Sequence, residues 1–200
     1  GIPMRRRGLF QFGPTLAAGV RQHVDSGLGK AMGRGTQSLI APTWSIEQPV
    51  ERHTIDGIEI VFQLTPETEA PAEMNFHFPQ FKVLNLAENG CHTMHNLCPI
   101  RGAKTRDSLA WSKYLDAALN DFIEETDVVI AQHHWPTWGR ERARRFISEQ
   151  RDLYRLLHDQ TLRLMSHGRT PREIGEELML PGKLSRQWFA RGYYGAVAHN

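Results

Sequence analysis

The stretch Asp127-Val128-Val129-Ile130-Ala131-Gln132-His133-His134-Trp135-Pro136-Thr137-Trp138-Gly139 runs an apolar segment straight into a pair of imidazoles and then into a turn of Trp, Pro and Gly. A short Val/Ile run with a flanking Ala reads as a buried strand. The His pair then falls at the strand's carboxyl end, where α/β sheets place their chemistry, and where a metal ligand would sit. Successive residues of an extended chain point to opposite faces, so only one of His133 and His134 can join a single ligand set.

Working outward, Ser108 can cap a helix whose apolar residues Leu109, Trp111, Leu115, Ala118, Leu119, Phe122 and Ile123 recur at helical spacing. Earlier, Ile58 to Leu64 reads as a strand entered through Asp56-Gly57, and Met74, Phe76 and Phe78 alternate as a second strand that returns over Phe81 to Ala87. Ser38 to Pro42 is also strand-like, whereas the glycines from Gly13 to Gly35 suggest a loop-rich lead-in. Beyond Gly139, a long helical pattern spans Arg140 to His167 and closes at Gly168. Thr170-Pro171-Arg172-Glu173 then supplies N-cap, N1 proline and N3 acid for another helix. The chain divides near residue 140 into a strand-rich part, 1–139, and a helical part, 140–200.

Two hundred residues suffice for one domain, or for a domain with a helical appendage. With 24 basic and 22 acidic residues the charge is near balance, so the pI of about 8.7 demands no nucleic-acid partner. Arg5-Arg6-Arg7 and Arg142 with Arg144-Arg145 read as solvated faces, because no aromatics interleave with them. Cys91 and Cys98 form neither a disulfide framework nor a zinc knuckle. No run of eighteen apolar residues occurs and no apolar core follows the basic N-terminal stretch, so neither a membrane span nor a signal peptide is expected.

The carboxylates Glu69 and Glu88 stand just before one strand of the expected hairpin and just after the next, which puts both at one edge of the sheet. With imidazole they make the donor set of a zinc-type cluster; the competing reading is two solvated surface acids. His92 and His95, three residues apart in the following loop, suit hydrogen-bond support of Glu88 better than direct ligation. Asn96, Arg101 and Arg106 come next, and arginine forks beside a metal site would receive a tetrahedral oxyanion. Trp135 and Trp138 read as wall residues, and His199 offers an imidazole as an acid in the last segment.

Several stretches, in order, resemble the central portion of alkyl sulfatases of the metallo-β-lactamase superfamily. They include Glu69-Ala70-Pro71-Ala72-Glu73-Met74, Asn85-Leu86-Ala87-Glu88-Asn89, His95-Asn96, Arg101-Gly102-Ala103-Lys104, the His-His-Trp-Pro-Thr-Trp-Gly run, Gln150-Arg151-Asp152-Leu153-Tyr154 and Arg191-Gly192-Tyr193-Tyr194-Gly195. The resemblance implies an α/β fold, the second half of a metallo-β-lactamase αββα sandwich over 1–139, followed by the start of a helical dimerisation region over 140–200. It implies zinc-dependent hydrolysis of alkyl sulfate esters such as dodecyl sulfate, two zinc ions per complete site, and a homodimer. Glu69, Glu88 and His133 would be zinc ligands, Asn96, Arg101 and Arg106 would hold the sulfate, and His199 would serve as acid.

One departure is large: the superfamily's upstream His-x-His-x-Asp-His motif is absent, and His23-Val24-Asp25 does not match it. Three residues cannot ligate two zinc ions. The expectation is therefore that an upstream part completes the site. Two rivals stay open: a phosphoesterase of the same superfamily, since two arginines hold phosphate equally well, and an inactive fragment that serves association alone.

Overall fold

A computed structural model describes residues 2–22 and 38–200, and His23-Val24-Asp25 lies outside the described residues. Packing divides the chain into two compact units, one of residues 1–45 and 98–105, the other of 46–97 and 106–200. In the first unit α1 spans Ile2–Phe12 where a loop was expected. Pro3 falls in the first turn, where its missing N–H costs nothing, and the helix runs through Gly8 until Gly13, whose φ of 62° ends it. Ser38 to Pro42 is irregular, with Leu39 and Ile40 about nine-tenths exposed, so the apolar pair finds no sheet to join.

The second unit is built on a six-stranded sheet in the order β1 (Val50–Ile55), β2 (Ile58–Leu64), β3 (Met74–Phe78), β4 (Val83–Asn85), β5 (Val128–Ile130), β6 (Thr137–Trp138). β1, which the sequence did not reveal, pairs with β2 through Asp56 and Gly57, both left-handed at φ 51° and 78°. A two-residue turn of that hand matches the natural twist of a hairpin. All neighbours are antiparallel except β4 and β5, which are parallel and joined by the crossover helix α2 (Ser108–Phe122). Its N-cap is Asp107 rather than Ser108, because the Asp107 carboxylate accepts the Leu109 and Ala110 N–H groups.

Alternation correctly marks β3, but the buried face is the one with Asn75 and His77, not the one with Met74, Phe76 and Phe78. His77 stacks on Phe122 of α2, and Asn75 joins a buried amide chain, so that face packs on the helices. Trp111, Leu115 and Ala118 of α2, fully buried, meet Ile147, Leu153 and Tyr154 of α3 (Arg140–Ser166) in the core. Trp111 and Tyr154 stack with ring centroids 4.7 Å apart. The helical tail thus shares one core with the sheet rather than standing apart from it. Gly168 at φ 79° closes α3, and α4 (Pro171–Glu177) opens with a complete capping box between Thr170 and Glu173. No described helix is long and apolar enough to cross a membrane.

Candidate metal centre

Parallel β4 and β5 present their carboxyl ends at one edge, and β3, antiparallel to β4, begins there. The ladder continues past the strands, with Leu86 N–H donating to Ile130 O and Gln132 N–H to Ala87 O. Glu88 and the turn bearing His133 are therefore carried out from the sheet side by side. A chain of buried amides fixes the base of the Glu88 loop. Asn75 donates to Gln63 Oε1 at 2.8 Å, and Asn89 donates to Asn75 Oδ1 and to Thr65 Oγ1, each at 2.9 Å. The Trp111 indole donates to Asn89 O.

Glu88 sits between two imidazoles: its Oε2 lies 2.6 Å from His95 Nε2 and its Oε1 3.3 Å from His133 Nε2. The hydrogen bond to His95 holds its carboxyl below the usual range against the opposing effect of burial, with smaller help from the charges of His95 and His133. Glu69 receives Arg106 Nη2 at 2.6 Å, and Arg106 Nε donates to the Glu69 backbone oxygen. Arg106 Nη1 donates to Asn96 O, so this nearly buried guanidinium ties the Glu69 segment to the His95-Asn96 segment.

Among the described residues, Glu69, Glu88 and His95 offer ligand atoms that all lie within 4.8 Å of one another, a group able to hold a metal ion. Two carboxylates and an imidazole are a donor set that a zinc-type ion accepts. A third carboxylate, Glu73, accepts the Glu88 N–H at 3.4 Å. Burial, reinforced by the charges of Glu69 and Glu88, pushes Glu73 up to about 7 despite that hydrogen bond. Crowded carboxylates of this kind are relieved by a cation.

The structure brings Glu69, Glu88 and His133 to the expected edge, but it is His95 that completes the close triad with the two glutamates. Residue order suggested His95 only as support; its near-total burial beside Glu88 is what gives it more weight. Glu73 was visible only as part of a matched stretch, since nothing in the sequence signals its burial. His92 holds the His133 turn: its Nε2 is 3.1 Å from Thr137 Oγ1, and its ring packs between Trp135 and Phe146. His134 is exposed at φ 72°. Asn96 belongs to the site segment, with its Oδ1 buried and unpartnered among the described residues. Arg101 falls in the first unit. His199 is exposed in the final turn, its backbone N–H bonded to Ala196 O. Burial pushes the Cys91 thiol up to about 12, which leaves it a poor thiolate ligand.

Fold and site together describe an α/β protein with a carboxylate–imidazole group at one sheet edge that is able to hold a metal ion. The specific likeness is to alkylsulfatases. Over its full length the chain is 52% identical to the alkyl/aryl-sulfatase BDS1 of Saccharomyces cerevisiae and 48% identical to the (R)-specific secondary-alkylsulfatase of a Pseudomonas species, covering 31% and 30% of them. The solved structure of the stereoselective inverting sec-alkylsulfatase Pisa1 from Pseudomonas sp. superposes on the whole chain with a TM-score of 0.91 at 48% identity. The chain covers 32% of that structure, so it corresponds to about a third of the proteins it matches. No protein-family model matches.

Proposed function

We propose that the intact protein hydrolyses alkyl sulfate esters to an alcohol and inorganic sulfate, and that this chain supplies one side of its zinc centre together with the sulfate receptor. The observation that carries this reading is the Glu69, Glu88 and His95 group with Arg106 locked against Glu69, in a chain similar along its whole length to alkylsulfatases.

Glu69, Glu88 and His133 would hold zinc, with His95 either a further ligand or the group that orients Glu88. Bound zinc lowers the pKa of water and so supplies hydroxide at neutral pH. Asn96, Arg101 and Arg106 receive the sulfate oxygens, and His199 serves as the acid that gives a proton to the leaving oxygen. Arg106 uses three nitrogens on Glu69 and Asn96, so it sets the carboxylate, and in this reading it also lends its positive charge to the anion. The region from residue 140 begins an association surface: α3 buries most of its apolar stripe on its own chain, yet Leu162 and Met165 stay 43% and 55% exposed. Such exposed residues are what a homodimer would cover.

Parallel assays of the intact protein on dodecyl sulfate and dodecyl phosphate, with metal analysis, test the proposal. Zinc-dependent release of sulfate is expected. Turnover of the phosphate alone would favour a phosphoesterase, and a protein that binds no zinc and cleaves neither ester would leave only an association role.

A further inference from the structure

Asn200 meets the backbone beside the candidate site across 105 positions in sequence. Asn200 Nδ2 donates to His95 O at 2.9 Å, and Asn200 Oδ1 accepts the Leu97 N–H at 3.0 Å. The two bonds straddle Asn96. A primary amide presents one donor and one acceptor side by side, which lets it stand in for a neighbouring strand against the carbonyl of one residue and the N–H of the residue two further on. Asp keeps the acceptor but sets a carboxylate oxygen against the His95 carbonyl, and Ala keeps neither bond.

The segment leading to Asn200 is aimed by separate contacts. Gly195 N–H donates to Met94 O at 2.9 Å, and a Cβ at Gly195 would lie 2.2 Å from His95 O, so only glycine permits this approach. The Tyr194 ring meets the His95 ring edge-on at 5.0 Å. Asn200 N–H closes the final turn on Ala196 O. From the other side, Tyr154 Oη accepts the His95 N–H and Arg106 donates to Asn96 O. With its flanks held in this way, Asn96 is 5% exposed and its side-chain Oδ1 has no protein partner among the described residues. That oxygen can only accept, so it is the Nδ2–H of the same amide that would donate to an anion.

We propose that Asn200 is a positioning residue, a side-chain clamp that sets the His95-Asn96-Leu97 backbone so that the Asn96 amide meets the tetrahedral anion. This rests on the sulfatase reading for the identity of that anion. The test is a double-mutant cycle on the intact, metal-loaded protein, with inorganic sulfate and inorganic phosphate as calorimetric probes. Asn200→Ala is expected to weaken anion binding by about tenfold, as the loss of one good hydrogen bond would. Asn96→Ala should do the same, and the double variant should bind no more weakly than Asn96→Ala alone. Zinc content should stay at the wild-type level. Asn200→Asp, whose folding is checked by its melting temperature, serves the same cycle if the alanine variant does not fold. Wild-type affinity in the Asn200 variants, additive losses in the double variant, or a wild type that binds neither anion would overturn the clamp. A wild type that binds phosphate but neither binds nor releases sulfate would overturn the sulfatase reading instead, and the same cycle run with phosphate would then decide the clamp.

Discussion

Arg106 donates to the carboxylate of Glu69 at 2.6 Å from a side chain only 2% exposed, while the Glu69 side chain stays 22% exposed, so the candidate ligand and the candidate anion receptor are one partly buried ion pair. Removing the cation leaves Glu69 beside Glu73 and Glu88 without the guanidinium that pairs with it. Arg106→Met is expected to lower unfolding free energy by roughly 1–3 kcal/mol, the usual consequence of leaving a partly buried acceptor without its donor. Urea unfolding of the metal-free intact protein measures this, and an unchanged midpoint would contradict it. Zinc content should fall as well, because Glu69 loses the contact that orients it.

Arg101 is expected to behave differently. If it binds sulfate without fixing a ligand, Arg101→Glu should reduce kcat/KM for dodecyl sulfate by an amount equivalent to about 2–5 kcal/mol while zinc content stays constant. Loss of zinc in step with activity would make Arg101 structural.

The bond between His92 and Thr137 carries the turn that presents His133. Thr137→Val keeps the side chain's shape and removes the hydroxyl, and should cost about 1 kcal/mol in stability. A larger fractional loss of zinc affinity than of stability is expected, read by competition with a chromogenic chelator. Equal, small effects on both would show that the turn is held by aromatic packing alone.

His77 gives a pH dependence far from the centre. Burial on Phe122 lowers its pKa below the ordinary 6.5, against a weak bond to Glu125 O. A depressed folded value means stability is fully present above the unfolded pKa of 6.5 and is lost as pH falls through the folded one. Melting temperature followed from pH 7.5 downward should therefore decline below about 6.5, and His77→Gln should flatten that part of the curve. An identical slope in both proteins would rule His77 out as the source.

Much of this architecture is local, and so it was legible. The helices over Ser108–Phe122 and Arg140–Ser166, the strands around Val61, Phe76 and Val129, and the Thr170 capping box all follow from spacing and capping chemistry within a few residues. The edge placement of Glu69, Glu88 and His133 followed too, because strand direction alone decides which loop ends meet. β1 was hidden, since Val50 to Ile55 alternates as an edge strand with charged residues and only its partner β2 makes it one.

Residue order could name donors but not their burial. That Asn75 and His77 rather than Met74 and Phe76 face the helices depends on α2 and α3 packing on that side of the sheet. That His95 joins the glutamates depends on Tyr154 and Asn200, both distant in sequence, bonding its backbone while Arg106 bonds that of Asn96. Glu73 is raised because the fold crowds it against two other acids. The sequence by itself determined the elements, the edge and the chemical types available there, since these depend on neighbours along the chain. Only the tertiary structure decided which of those groups share one desolvated volume, because burial and charge coupling depend on distance in space.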